Sequence, residues 1–503
     1  MLGLATWLRL RAERDAARLA LTFENSTFTY AALQSEIEGF ASFLATQNVV
    51  RGDRVAYLGM NDSSFVVALF ATARLGAVFV PLNFRSAGPE LAFVIDDCGA
   101  SALIGEESFL GILDGIETNP DLKVRISLGE FGWDGWTVYD TKRKYPEGSE
   151  VAVEPDSPGI ILYTSGTTGQ PKGVVLTHRN LFTNNVNWML SVNYHRDNTA
   201  LTSAPLFHSG GLCVMLLPLL MAGGHVVLHR QFDPDRTLHD VARYQVTTLF
   251  LVPTMMLYLT QAPLFADADM SSIEFVVAGA APVPERLLQI FGERGIAVSQ
   301  CWGLTETSTG ATFLSPEWAL DKLGSCGTPG MLNEVKLIRF DGAPLEESNV
   351  AGELCVRGGI VTPGYWNRAD ATAEAQLPGG WFRTGDVAYR DKDGFYFICD
   401  RLKDMVITGG ENVYPAEVES VIFDHPDVAD VAVIGAPDEE WGERVVAVVV
   451  PRQGATIELE ALREFVAARL ARYKLPRELR LVPDLPRNTT GKVMKQSLRV
   501  RRL

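Results

Sequence analysis

The chain has 503 residues, 47% of them hydrophobic, with 45 Lys plus Arg against 61 Asp plus Glu and a formal charge of −16. That length holds about three domain-sized units with large cores, and so acidic a surface repels nucleic acid and anionic lipid on average, so any anion site must be local. The scattered cysteines (Cys98, Cys213, Cys301, Cys326, Cys355, Cys399) form no C-x-x-C pair and no metal-ligand spacing, and they read as reduced side chains of a cytoplasmic protein.

Residues 1–14 mix Leu and Trp with arginines and lack the uninterrupted apolar core of a signal peptide. Helical spacing follows over 31–45, a short strand over 54–58, a second helical pattern over 65–75 and a buried strand over 78–82. That order predicts βαβ units and a largely parallel sheet. The apolar run 159–162 reads as another buried strand, and turn residues begin where it stops: Tyr163-Thr164-Ser165-Gly166-Thr167-Thr168-Gly169-Gln170-Pro171-Lys172-Gly173. Its glycines let backbone approach an anion, its hydroxyls donate to phosphate oxygens, and Lys172 adds charge. The spacing is not that of a Walker loop, and an ordinary Ser/Thr/Gly turn uses the same residues.

The most apolar stretch, 212–228, is interrupted by Pro218, Gly223 and Gly224 and is short for a membrane span, so it reads as core. Strand-like runs return at 226–228, 247–252 and 274–278, without a repeat or low-complexity segment. Gln300-Cys301-Trp302-Gly303-Leu304-Thr305-Glu306-Thr307 then brings an aromatic, a hydroxyl and a carboxylate together. They suit base stacking, phosphate binding and Mg²⁺, although a core aromatic beside a capping pair looks the same. Thr384-Gly385-Asp386 follows the loop Gly379-Gly380-Trp381-Phe382; its carboxylate could accept two hydrogen bonds from a ribose diol, or simply be a turn residue.

Asp391-Lys392-Asp393-Gly394 is a strong turn signal, followed by a strand at 395–398 and the charged Asp400-Arg401-Leu402-Lys403-Asp404. Beyond lies a unit with its own core. Pro415 opens a helix with Val418, Val421 and Ile422 on one face, strands follow at 431–434 and 445–450, and Leu459, Leu462, Phe465, Val466 and Leu470 form a helical stripe. A boundary near residue 400 therefore separates an N-terminal domain, 1–400, from a C-terminal domain, 401–503. Gly409-Gly410-Glu411-Asn412 allows close backbone passage of a ligand, as a plain loop would. Asn488-Thr489-Thr490-Gly491-Lys492 offers one lysine in a glycine loop, ordinarily a solvated residue, which gains meaning if the small domain closes over Ser165.

In this order, these clusters resemble those of the AMP-forming acyl-adenylate ligases: acyl-CoA synthetases, luciferases and peptide-synthetase adenylation domains. The resemblance covers nearly the whole chain. Leu402-Lys403-Asp404-Met405, Gly410-Glu411-Asn412-Val413-Tyr414-Pro415 and Arg472-Tyr473-Lys474-Leu475-Pro476 look most like bacterial fatty-acyl-CoA synthetases and feruloyl-type CoA ligases. It implies an α/β fold with a large multi-sheet N-terminal domain and a small mobile α+β C-terminal lid. It also implies ATP, Mg²⁺ and coenzyme A as cofactors and a small carboxylic acid as substrate.

Carried over residue by residue, the resemblance makes Thr164, Ser165, Gly166, Thr167, Thr168, Gly169 and Lys172 the phosphate loop. Gly279, Ala280, Ala281 and Pro282 would border the adenine, with Trp302 against its face and Gly303 beside it. Thr305 would meet the α-phosphate, Glu306 the Mg²⁺, and Asp386 and Arg401 the ribose. Lys403 takes the hinge position, Lys492 that of the adenylation lysine, and His208 the acyl and thioester site. Gly410, Trp441 and Lys474 would serve coenzyme A. Trp302 departs from the usual Tyr, keeping the stacking face and losing the phenol.

The implied reaction installs AMP on the carboxylate, then exchanges it for a thiol. Amino-acid adenylation is disfavoured because no carboxylate accompanies Phe207 and His208, and a dicarboxylic acid because no arginine stands beside Gly279 or His208 in sequence. A silent nucleotide or acyl sensor would not need Lys492, Glu306 and Asp386 together. Trp188, Phe207, Met255, Met256, Tyr258, Gly210, Gly211, Gly279 and Gly310 are candidate walls of the acyl pocket. They favour a medium- or long-chain fatty acid, with a hydroxycinnamate or benzoate as the alternative. Peripheral membrane contact and homo-oligomerisation stay open at this point.

Overall fold

Strands Arg54–Leu58 and Val78–Leu82 lie in parallel, Ala56 opposite Val80, joined by the Ser63–Arg74 helix whose first turn is capped by the Asp62 side chain on Ser64 N. The computed structural model describes every residue except 1–2, 115–121, 130–131, 141–142, 144, 147, 165–169, 488–492 and 501–503. These two strands are buried on both faces, which is why they read as unbroken apolar runs. Their seven-stranded sheet extends through Ala102–Glu106 and Val124–Leu128 on one side and ends on the other with Pro158–Thr164 and Lys172–Thr177. The last two are antiparallel, and their register ends with Thr164 opposite Lys172.

A nine-stranded sheet contains a parallel run through His225–Leu228, Thr199–Thr202, Thr248–Leu251, Phe275–Ala278 and Ala297–Trp302. The loops after these strands carry Gly279 and Gly303, so candidate ligand residues gather at carboxyl ends, as in other open α/β sheets. The apolar stretch after His208 is core: a π-helix, Gly210–Leu216, leads into the buried Leu217–Ala222 helix. Among the described residues no helix is long and apolar enough to cross a membrane.

A six-stranded, antiparallel sheet follows, built on Asn333–Ile338, Gly352–Gly358, Trp381–Arg390 and Tyr396–Arg401. The sequence reading contains only its last strand, because Asn333–Ile338 has no clean period-two burial and bulges interrupt the register.

The C-terminal unit has its own five-stranded sheet, including Val406–Thr408, Glu411–Val413, Val428–Asp438, Gly442–Pro451 and Glu478–Leu481. Helices Pro415–Phe423 and Leu459–Ala467 add Val418, Ile422, Leu462 and Val466 to its core. The link is short: Leu402 N donates to Gly385 O, and the new sheet begins at Val406. Asp400, in the strand Tyr396–Arg401, reaches across the link. Its carboxylate accepts from Ala416 N at 2.9 Å in the first turn of the Pro415–Phe423 helix and stands 3.8 Å from Lys495 Nζ. A second bridge forms where Arg487 donates to Thr254 Oγ1 at 3.3 Å.

Candidate active site

Glu306 sits in the short 3-10 turn Thr305–Thr307 that follows strand Ala297–Trp302. The turn folds back sharply: Thr309 N donates to Leu304 O at 2.9 Å, and Leu304 N to Thr307 Oγ1 at 2.9 Å. Ser308 and Thr309 are forced to φ 52° and 78°, and such left-handed non-glycine residues store on the order of 1–3 kcal/mol of strain each. Gly303 makes this possible, since a Cβ there would lie 2.1 Å from Thr309 O.

Beside this turn, residues 362–366 run along the Lys172–Thr177 strand. Val175 N donates to Gly364 O at 3.2 Å, Trp366 N to Gly173 O at 2.7 Å, and Thr362 N to Glu306 O at 2.8 Å. Tyr365 is thereby set between two expected site residues. Its hydroxyl donates to Glu306 Oε1 at 2.8 Å, and Lys172 Nζ stands 5.4 Å from its ring centroid. The sequence reading missed Tyr365; Pro363-Gly364 before it signals only a turn. Thr164 and Lys172 flank the expected phosphate loop, whereas Ser165, Gly166, Thr167, Thr168 and Gly169 lie outside the described residues.

The two residues expected at the ribose also converge. Asp386 Oδ1 is 2.6 Å from Arg401 Nε, and Oδ2 accepts from Trp302 Nε1 at 2.7 Å. Here the expectation for Trp302 needs correction. The ring is 8% exposed and packs among Leu337, Leu354, Val356 and Ile360, so it offers an adenine little of its face. The indole N–H, absent from Tyr, is the part of the side chain that meets Asp386. Gly279, Ala280, Ala281 and Pro282 follow strand Phe275–Ala278 as a surface loop, with Ala280 at φ 71°.

His208 lies close to the Thr305–Thr307 turn. Its neighbour Ser209 shares a hydrogen bond of 3.1 Å with Thr305 Oγ1, and its ring is 4.3 Å from that of Phe207. Burial, then the nearby Arg85 guanidinium, pushes the His208 pKa down to about 3, so the imidazole is neutral at working pH. Arg85 also caps the Phe84 ring at 5.0 Å, and Phe84 meets Phe207 edge-on at 5.4 Å. Folding therefore brings beside His208 an arginine that is remote in sequence, and the expectation of none there is corrected.

Several expected acyl walls lie elsewhere. Trp188 is fully buried, stacked on Tyr194 and edge-on to Phe313; Met256 belongs to a separate core, and Tyr258 is 50% exposed. Gly279 and Gly211 are packed: a Cβ on Gly279 would lie 2.9 Å from Cys301 Sγ, and one on Gly211 2.6 Å from Ala204 O. Phe250 closes the space between Gly210 and Gly279, its ring 3.0 Å from a Cβ on Gly210 and 3.7 Å from one on Gly279.

On the C-terminal unit, Gly410 has φ 84°, and Gly409 N donates to Trp441 O at 2.9 Å. The Trp441 ring carries the Arg477 guanidinium at 4.2 Å. Lys474 Nζ is held by both oxygens of Glu417, at 2.7 and 2.6 Å. Lys403 lies in the link, and Lys492 falls outside the described residues.

Residues 8–366 match the family described as AMP-binding enzyme, and residues 417–492 match the AMP-binding enzyme C-terminal domain. Among curated relatives, a feruloyl-CoA synthase of Amycolatopsis sp is 40% identical over 99% of both chains. The long-chain-fatty-acid–CoA ligase FadD13 of Mycobacterium tuberculosis is 37% identical over 98% of this chain and 97% of its own. Among solved structures, o-succinylbenzoate CoA synthetase (MenE) of Bacillus subtilis with its acyl-adenylate intermediate OSB-AMP superposes at TM-score 0.86, with 34% identity over 99% of this chain and 98% of that one.

Proposed function

The chain belongs to the AMP-binding enzyme family, and from that membership we propose its acid and the work of its residues. It is an ATP-dependent acyl-CoA ligase that acts through an acyl-adenylate, taking ATP, Mg²⁺ and coenzyme A. The acid is a compact aryl acid of hydroxycinnamate type. The observation that carries this choice is the position of Phe250. Buried at 3% exposure, it fills the space between Gly210 and Gly279 through which a long alkyl chain would run, while Phe84, Phe207 and His208 supply aromatic surface nearby. The feruloyl-CoA synthase relative supports the same reading.

In the first half-reaction a carboxylate oxygen attacks the α-phosphorus of ATP, the bond to the bridging oxygen breaks, and pyrophosphate leaves. Two anions must meet, so positive charge has to be placed in advance. Lys172 would hold the outer phosphates from the edge of its strand. Thr305, with its hydroxyl tied to Ser209, would donate to the α-phosphate, and Lys492 would steer the carboxylate. Asp386 and Arg401 would grip the ribose. Glu306 is the residue that would hold Mg²⁺, which when bound offsets phosphate charge. One of its oxygens is engaged by Tyr365 and the other is left for an ion that commonly takes one or two carboxylates and completes its shell with phosphate and water.

In the second half-reaction the thiol sulfur of coenzyme A attacks the acyl carbon, the bond to AMP breaks, and AMP leaves. Neutral His208 can orient the acyl oxygen without adding charge, and the thiol proton passes to solvent. Lys403 would be the pivot between units 1–400 and 401–503, bringing Gly410, Trp441 and Lys474 to the pantetheine arm.

Pyrophosphate release followed with acetate, octanoate, palmitate and ferulate tests the choice of acid. Ferulate is expected to have the highest kcat/KM. The second reading, a fatty acid, is favoured by the FadD13 relative, and palmitate as the best substrate would establish it in place of the first.

A further inference from the structure

We propose that Trp302 is a positioning residue for the nucleotide sugar: its indole N–H fixes the rotation of the Asp386 carboxylate so that both oxygens can meet the ribose diol. The inference rests on the reading of Asp386 as the ribose acceptor.

Gripping two adjacent hydroxyls with one carboxylate requires both oxygens at a set rotation about the Cβ–Cγ bond, and that torsion is otherwise broad. The Asp386 backbone is already fixed. Its N–H donates to Thr384 Oγ1 at 3.1 Å, and Thr384 in turn donates to Leu354 O at 2.6 Å. The carboxylate is 3% exposed, with Trp302 Nε1 on Oδ2 at 2.7 Å and Arg401 Nε 2.6 Å from Oδ1. An ionised carboxylate offers about four lone-pair sites, so the Trp302 and Arg401 contacts alone do not exhaust it.

The two partners differ in stiffness. Arg401 is a flexible chain with a side chain 34% exposed, free to exchange Asp386 for a ligand. Trp302 is held more firmly, as a buried member of the apolar cluster that includes Leu337, Leu354, Val356 and Ile360. Its N–H is therefore the fixed reference, and the contact is charge-assisted. A tyrosine, which donates only from the tip of its ring, has no donor at the side of the ring where Nε1 lies.

The test is sugar discrimination: kcat/KM for ATP divided by that for 2′-deoxy-ATP, in wild type, Trp302→Phe and Asp386→Ala. Each ratio is internal to one preparation and so independent of the folded fraction. Wild type is expected to favour ATP. Trp302→Phe should lower the ratio about tenfold or more, the range for a hydrogen bond to a charged group, mainly through the KM for ATP. Asp386→Ala should erase it. An unchanged ratio in Trp302→Phe alongside a lost one in Asp386→Ala overturns the positioning role. A wild-type ratio in Asp386→Ala overturns the ribose reading instead, and with it the premise. Where Trp302→Phe is not recovered folded, Trp302→Tyr, which also lacks Nε1, is read in the same way.

Discussion

The Tyr365 hydroxyl donates to Glu306 Oε1 at 2.8 Å, joining residues 59 apart in the chain. Burial, followed by the Glu306 charge, raises the phenol pKa, so Tyr365 stays a protonated donor at every working pH. The bond holds one carboxylate oxygen and so orients the other.

Tyr365→Phe keeps the ring under Lys172 and deletes only this bond. The Mg²⁺ concentration for half-maximal activity should rise about tenfold, while kcat at saturating Mg²⁺ changes less. Titrating Mg²⁺ at fixed ATP checks it, and superimposable curves would reduce Tyr365 to a packing role.

Lys492→Ala should lower adenylation by about a hundredfold or more, as for other preorganised electrostatic groups, and spare thioester formation from a synthetic acyl-adenylate. The Arg487 contact with Thr254 supports this, since it brings the chain just before Lys492 to the carboxyl end of strand Thr248–Leu251. Equal loss in both half-reactions would mean that the charge acts elsewhere.

Gly279→Leu is expected to destabilise the protein rather than retune its acid, because the new side chain must displace Cys301; overpacking of this kind costs about 1–3 kcal/mol. Phe250→Ala removes the group that fills the same region. The ratio of octanoate to ferulate kcat/KM should rise at least several-fold in Phe250→Ala, and a constant ratio would place the acyl chain away from Phe250.

His178 predicts a pH effect. It is 2% exposed, its Nδ1 accepts from Leu4 N at 3.3 Å, and burial lowers its pKa from 6.5 to about 4. The unfolded chain takes up a proton near pH 6.5, which the folded one refuses until about pH 4. The stability is thus complete above 6.5 and is lost as pH falls, by roughly 1.4 kcal/mol per unit within that window. His178→Asn retains an acceptor and cannot titrate, so its Tm should fall less between pH 7 and 5 than that of wild type. Parallel Tm profiles would assign the acid sensitivity to other groups.

What could be read from sequence was burial, and what could not was adjacency. Arg54–Leu58 and Val78–Leu82 match the expected 54–58 and 78–82 because strands covered on both faces write unbroken apolar runs. The helix opened by Pro415 was legible for a similar reason, with an N1 proline ahead of an apolar face. Trp302 and Asp386 were each noticed, yet the bond between them spans 84 residues and leaves no local pattern. Tyr365 and the Phe250–Gly279 packing were missed likewise, since periodicity tells that a side chain is inside and not what it touches. Taking the glycines near His208 as walls of the acyl pocket overlooked that glycine also marks the closest packing, as at Gly211 and Gly279.

Asp400 gives the two units a clasp. A carboxylate 9% exposed, rooted in a strand of one body, closes on an amide and approaches an ammonium of the other. Turning the small unit about Lys403 far enough to part Asp400 from Ala416 would release that anion to water. A rotation of that kind would thus begin with a discrete unlatching step at Asp400.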